Sequence, residues 1–365
     1  MTYGSVAIDQ IVTSVANTSL GAGNASIMKN RIINGAMVID QRNAGASVTP
    51  LNGDYTLDRW SLGLSQTSKV SVQQNAGSVT PPIGFSNYLG VTSLSAYSVG
   101  STDTFNIQQK IEGFNTADLG WGTANAKTVT LSFQVYSSLT GTFGGSLRNS
   151  AANYSYPFSY SISTANTWTT ISVTIVGPTV GTWIGATNGI GINLVISLGT
   201  GTTNSGTAGS WSANNYNSVT GATSVVGTNG ATFYITGVQL EVGSSATGYE
   251  YRQYGTELAL CQRYYETYQA GYNAGSNYST SSSQGFQMYF KVTKRATPTM
   301  AIVSGSAVVS NAVAGSAGGT VAINSQPNSA SNGGDLYVSG ATGLVAGNAG
   351  LLIPSTLILG YSAEL

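Results

Sequence analysis

The 365-residue chain has no histidine, one cysteine and few charges: 13 basic and 13 acidic residues, 7% of the whole. Each scarcity removes a class of function. Without histidine the usual proton carrier near neutral pH is missing, so catalysis would fall to carboxylates, a lysine or the thiol. One cysteine forbids a disulfide within the chain, and zinc centres built from cysteine and histidine are excluded. A net charge of zero with no basic cluster leaves nothing to neutralise phosphates, which argues against nucleic acid and anionic membranes as partners. No apolar run approaches the roughly 20 residues of a spanning helix, so membrane insertion is not expected. The opening MTYGSVAIDQ lacks the basic and apolar regions of a signal peptide, so synthesis in a cytoplasm without export by the usual route is expected.

The charges that exist are unevenly placed. None falls between Asn149 and Leu240, and only Asp335 falls between Ala296 and Ala363. Glycine (47 residues), serine, threonine and asparagine fill the surface instead, while 41% hydrophobic residues suffice for real cores. Such a surface is hydrated by hydroxyls and amides, so its behaviour should depend little on salt.

The pattern predicts an all-β protein. Residues 1–28 read as an arm in which Ile8, Ile11, Val12 and Val15 form at most a short amphipathic element. Residues 29–252 read as an antiparallel jelly-roll sandwich of short alternating runs separated by Gly, Asn and Ser. Val129, Leu131, Phe133 and Val135 share one strand face, with Thr128, Thr130, Ser132 and Gln134 on the other; Ile171, Val173 and Ile175 repeat the pattern. Phe233 and Ile235 alternate with polar neighbours, then Val238 and Leu240 resume one residue out of phase. Gly237 sits at the slip, where a β-bulge favours glycine. Residues 253–270 carry the one convincing helix signal, and 271–365 a second, smaller β domain.

Three segments resemble the carbohydrate-binding jelly-roll modules attached to glycoside hydrolases: Asn30 to Met37, the strand after Trp168, and Phe233 to Leu240. Carboxylates that help hold a structural calcium in that family are replaced here by Val38, Thr236 and Gly237, so no metal is expected. From Asn30 onward the chain more closely resembles fibre proteins of tailed bacteriophages. The resemblance rests on Asn30-Arg31-Ile32-Ile33-Asn34-Gly35, Asp58-Arg59-Trp60, Phe233 to Gly243, and Tyr254-Gly255-Thr256-Glu257-Leu258-Ala259-Leu260-Cys261-Gln262-Arg263-Tyr264-Tyr265. It also takes in Phe290 to Pro298 and the ending Ala363-Glu364-Leu365. It implies a virion component, a tail-fibre or receptor-binding protein; the arm of residues 1–28, outside the resemblance, reads either as a loosely packed tail or as a peptide that orders by docking on other virion proteins.

Candidate chemistry favours binding over catalysis. Neutral sugars are held by aromatic faces with amide and hydroxyl partners, and the uncharged section supplies both. The preferred ligand-binding residues are Trp183, Trp211, Asn214, Asn215 and Tyr216, with packing inside the sandwich or an intersubunit contact as the competing role for the aromatics. Asp58-Arg59-Trp60 reads as a loop tie with Trp60 as core filler, and Cys261 as a small buried apolar residue. Leu258, Cys261, Tyr265 and Tyr268 recur at helical spacing, either as a lid or as the seam of a parallel homotrimer. The expected function is non-enzymatic attachment to a host-surface glycan, with no cofactor. A purely structural head, neck or tail fibre is the alternative, and a depolymerase a third class.

Overall fold

The structure, a computed structural model, describes residues 28–311, 322–325 and 330–365. The expected arm over residues 1–28 lies outside these except for Met28. The chain divides into two compact units, with the division between Arg252 and Gln253.

The first unit is an antiparallel sandwich. In chain order its strands are β1 (Tyr55–Leu57), β2 (Trp60–Leu64), β3 (Val70–Gln74), β4 (Leu89–Ser93), β5 (Thr104–Glu112), β6 (Val129–Ser137) and β7 (Gly141–Arg148). They continue with β8 (Ser155–Ile162), β9 (Thr169–Ile175), β10 (Ile190–Thr200), β11 (Ser205–Gly206), β12 (Ser218–Val219) and β13 (Thr232–Val242). A six-stranded sheet runs β1-β2-β5-β10-β7-β8 and a five-stranded sheet β3-β4-β13-β6-β9. Their inward faces form one core that includes Trp60, Phe105, Phe133, Phe143, Phe158 and Phe233. The predicted jelly-roll class is what the sheets form.

Strand β13 shows why the sequence slips phase. Its pairing with β6 shifts between Thr236 and Gln239, and Gly237 lies in the bulge at φ +62°. Phe233, Ile235, Val238 and Leu240 are therefore all inward and fully buried despite the change of parity. The Asn30–Gly35 segment follows the bulge as irregular chain. Asn30 Nδ2 donates to the Val238 carbonyl (3.1 Å), and Asn30 Oδ1 accepts from the amides of Leu240 (3.1 Å) and Ile32 (2.9 Å). A Cβ on Gly35 would lie 2.1 Å from the Val238 carbonyl oxygen, so the close approach requires glycine there. Asn34 sits at φ 58° and its amide donates to the carbonyls of Ile39 (2.8 Å) and Asp58 (3.0 Å). The buried Asp58 carboxylate accepts from Gln41 N (2.7 Å) and Nε2 (2.6 Å), and Trp60 Nε1 donates to the Asn34 carbonyl (3.0 Å). Asp58 and Trp60 thus do structural work.

The second unit opens with helix α1 (Tyr254–Gln262). Seven strands follow: β14 (Tyr265–Gln269), β15 (Asn273–Asn277), β16 (Ser282–Tyr289), β17 (Thr299–Asn311), β18 (Ala322–Ser325), β19 (Gly333–Ser339) and β20 (Ala349–Ser362). They form one antiparallel sheet ordered β14-β20-β15-β16-β19-β18, with β17 also on β20. Its core includes Phe286, Met288, Val309, Leu336, Val338, Leu352 and Leu359.

One expectation needs correction here. The helix stops at Gln262, and Tyr265 and Tyr268 lie on β14, paired with Ser362 and Leu359. Leu258, Cys261, Tyr265 and Tyr268 therefore share no helical stripe. The aromatic run Tyr264-Tyr265-Glu266-Thr267-Tyr268 suits a pleated strand better than a helix, and β20 offers a free edge for it. Cys261 is fully buried, and Leu258 half-buried.

Three of the sequence motifs meet at this turn. Lys294 Nζ donates to the Gln262 carbonyl (2.5 Å) and pairs with Glu266 Oε2 (2.5 Å), both side chains being fully buried. Arg295 Nε donates to the Ala363 carbonyl (2.8 Å) and Nη2 to that of Glu364 (2.9 Å), while Ala363 N donates to the Tyr264 carbonyl (2.7 Å). The helix end, the Lys294-Arg295 pair and the chain end form one clasp.

Candidate functional site

The tryptophans preferred from sequence come together, but as a clasp between loops. Trp183 and Trp211 pack edge to face at 5.3 Å, each also against Trp121 (4.8 and 5.5 Å). Tyr154 stacks on Trp211 at 5.7 Å and 7°, and Tyr156 meets its edge at 5.2 Å. Backbone carbonyls take every indole N–H in the group: Trp121 to Lys127 (2.8 Å), Trp183 to Val180 (3.2 Å), Trp211 to Val176 (2.7 Å). Asn214 accepts from Ser155 Oγ at its carbonyl (2.6 Å), and its amide donates to Ser212 Oγ (2.8 Å). Asn215 Oδ1 accepts from Arg148 Nη1 (2.6 Å); burial lowers that guanidinium to about 10. The Tyr216 ring covers Gly206 so closely that a Cβ there would sit 2.3 Å from it. The indole N–H groups and much of the ring surface are thereby used within the fold, while the side chains of Asn214 and Asn215 remain exposed. A cavity of about 200 Å³ lies beside Trp121 and Trp183, lined mainly by apolar atoms of Leu119, Ile184 and Ile192.

The groove that presents unspent groups lies on the outer face of the five-stranded sheet. Alternation along β6 buries Leu131, Phe133 and Val135 and turns Ser132, Gln134 and Tyr136 outward. On β9 the same alternation turns Thr170 and Ser172 outward. Register then sets Ser132 beside Ser172 and Gln134 beside Thr170 on β9, with Gln239 and Thr236 of β13 on the other side. Thr170 Oγ1 lies 2.9 Å from Gln134 Nε2 and 3.1 Å from Oε1. The hydroxyls of Ser132 and Ser172 have no partner among the described residues.

Three aromatics wall this floor. Phe85 meets Tyr249 at 5.1 Å and Tyr251 at 5.5 Å, and the two tyrosines are 4.9 Å apart. Tyr251 donates its hydroxyl to the Gly84 carbonyl, and burial raises its pKa. The bulge glycine makes room for the wall, since a Cβ on Gly237 would stand 2.5 Å from Phe85 Cζ. The open cavity measures about 360 Å³ and no charged side chain lines it. At one end of the same face Tyr136 and Tyr234 stack at 5.3 Å and 8°, joined by Tyr88 and Trp168. Trp168 Nε1 donates to the Thr80 carbonyl (2.9 Å), holding the 76–88 segment over the sheet.

Two acids border the groove without entering it. Glu241 accepts from Thr247 N (2.8 Å), Thr247 Oγ1 (2.7 Å) and Gln239 Nε2 (2.8 Å), with Lys29 Nζ at 3.7 Å. Glu250 accepts from the amides of Lys29 (3.1 Å) and Asn30 (2.9 Å) and from Arg252 (3.4 Å). Both carboxylates tie the opening and closing segments of the sandwich.

None of the ligand-binding residues preferred from sequence, Trp183, Trp211, Asn214, Asn215 and Tyr216, lines this groove. Ser132 and Gln134 are visible in the pattern only as the polar face of a strand. Phe85 is not, because it reaches the site from an irregular segment with no period to read.

No protein-family model matches the chain, and no curated protein matches it. Among solved structures it is similar to the enzymatically active domain of tailspike protein 4 of bacteriophage CBA120, with 15% identity and a TM-score of 0.32. That match covers 59% of this chain and 22% of the tailspike chain, so only about a fifth of that protein is represented. A family 4 carbohydrate-binding module matches with 15% identity over 57% of this chain and 98% of its own, at a TM-score of 0.28. A family 11 carbohydrate-binding module from Clostridium thermocellum, in complex with a mixed-linked tetrasaccharide, matches with 13% identity over 54% and 95%, at 0.27. At these values none of them says what this chain binds.

Proposed function

We propose that the chain is a non-enzymatic bacteriophage virion fibre protein that attaches to a host-surface glycan through the groove on the five-stranded sheet. The carrying observation is the groove's chemistry: a floor of Ser132, Gln134, Thr170 and Ser172 beside a wall of Phe85, Tyr249 and Tyr251, with no charge among the lining residues. Ring faces suit the C–H faces of sugars, and amides and hydroxyls suit their hydroxyl groups. An uncharged lining favours a neutral glycan over an acidic one, because Lys29, the cation at the Thr247–Gly248 rim, is already engaged with Glu241. Catalysis is not part of the reading, since Glu241 and Glu250, the acids nearest the groove, are spent on backbone and side-chain bonds. A glycosidase would instead need two carboxylates facing one bond.

The fibre role is supported by the resemblance running from Asn30 to the chain end. Residence in the virion, docking on other virion proteins through the arm of residues 1–28 and assembly as a parallel homotrimer are further parts of the proposal, the trimer now without the expected helical seam. Light scattering coupled to size exclusion is expected to return the trimer mass; a monomer at micromolar concentration counts against it.

A glycan array probed with purified protein tests the binding. Binding to neutral polysaccharide, without release of reducing ends, is the expected result. No binding together with intact incorporation into virions points instead to a structural fibre, and reducing-end release to a depolymerase.

A further inference from the structure

The second unit has a polar cavity of its own, of about 300 Å³, on the outer face of β16 and β19. Its volume falls at the lower end of the roughly 300–1,000 Å³ of small-ligand sites. Register sets Gln287 directly opposite Asp335 and Tyr289 directly opposite Gly333. Phe286, Met288 and Leu336 point the other way, into the core. Because Gly333 has no side chain, nothing from β19 covers the Tyr289 ring, which is 72% exposed. That glycine is fixed by the fold: a Cβ on it would stand 2.6 Å from the Met288 carbonyl oxygen. Tyr289 donates its hydroxyl to Gln287 Oε1 (2.5 Å), which holds the ring over the cavity and leaves the Gln287 amide N–H groups as donors.

Asp335 gives the cavity its chemistry. It is the one charged residue between Ala296 and Ala363. Its carboxylate has no hydrogen bond or ion pair among the described residues, whereas Asp40, Asp58, Glu241, Glu250 and Glu266 all have theirs. A carboxylate accepts two hydroxyl hydrogens at once, and such charge-assisted bonds are about twice as strong as neutral ones. A lone carboxylate with amide neighbours is too little for calcium, which takes 6–8 oxygens.

We propose that this cavity is a second saccharide site, taking one hexose ring that stacks on Tyr289 and directs a pair of neighbouring hydroxyls at Asp335. Gln287 donates to a ring or hydroxyl oxygen, and Asn332 lines the remaining edge. The site is built wholly within the second unit and does not depend on the groove of the first.

Saturation-transfer NMR on the full chain, with the methyl glycosides of glucose, galactose and mannose at millimolar concentration, tests it. At least one glycoside is expected to receive saturation, strongest on the protons of one ring face. Tyr289→Ala and Asp335→Asn should each weaken that binding by roughly tenfold, the equivalent of one charge-assisted or stacking contact. Gln134→Ala, in the groove, removes only what the groove itself contributes to the signal, so both variants are also read in a Gln134→Ala background. Tyr289 is exposed and Asp335 half-exposed, so both variants should fold. The proposal is overturned if no glycoside receives saturation, or if the signal of the Gln134→Ala protein is unchanged by adding Tyr289→Ala and by adding Asp335→Asn. A signal abolished by Gln134→Ala and untouched by the other two also overturns it, while leaving the groove reading standing.

Discussion

At the scale of single residues, polar groups decide more here than apolar ones. Tyr160 is a case on the stability side. It is buried against Phe133 and Phe143, and its hydroxyl has no partner among the described residues. Burial pushes its phenol well above the ordinary value near 10. The folded state therefore keeps its proton where the unfolded state loses it, so this contribution is complete below pH 10 and declines as pH rises further. The decline is roughly 1.4 kcal/mol per pH unit. Tyr160→Phe should raise stability by about 1 kcal/mol at neutral pH, because an unpaired buried hydroxyl is removed. It should also move alkaline unfolding to higher pH; chemical denaturation at pH 7 and pH 11 checks both. Trp211 illustrates the opposite: its ring is shared among four other aromatics. Trp211→Ala should cost about 2–4 kcal/mol while leaving glycan binding by the folded fraction intact. Sequence alone ranked Trp211 as a ligand residue because exposure cannot be read from a tryptophan in a Gly- and Ser-rich stretch. What decides its role is that Val176, Tyr154 and Trp183 arrive from distant loops.

Among the elements, β13 is the organising strand. Its phase slip was legible as two alternations separated by Gly237, and the bulge is the physical reason for it. The bulge also places Phe85 in the groove wall, so fold and site are coupled at one residue. Gly237→Ala should cost roughly 1–3 kcal/mol, from the positive φ and the 2.5 Å approach to Phe85. It should also weaken glycan binding beyond what partial unfolding explains; titration calorimetry on the folded fraction separates the two. Helix α1 was legible in its existence and not in its end. The spacing of Leu258, Cys261, Tyr265 and Tyr268 fits a helical stripe, but β20 captures the last two tyrosines in a ladder no local pattern announces. The buried Lys294–Glu266 pair is another such long-range feature. Lys294→Met leaves Glu266 buried without its cation and should cost about 3–5 kcal/mol; the double variant with Glu266→Leu should recover most of it. Thermal denaturation of the two variants compares them directly.

Over the whole molecule, a chain with 7% charged residues has chosen hydroxyls and amides for its surface. The all-β class and most strands followed from period-2 alternation, because each sheet in the sandwich has one buried face and the pattern records it. The groove was not legible as a site: Ser132 and Gln134 stand out only as the polar face of a strand, and their partners Thr170 and Ser172 come from β9 by pairing register. The measurement that tests the central claim most directly is calorimetric titration of a neutral polysaccharide, found on the array, into the intact protein and into Gln134→Ala and Phe85→Ala variants. Gln134→Ala should weaken binding by about 1 kcal/mol, some fivefold, and Phe85→Ala by more, with little change between low and high salt. Equal affinity in all three proteins would place the ligand elsewhere and contradict the account.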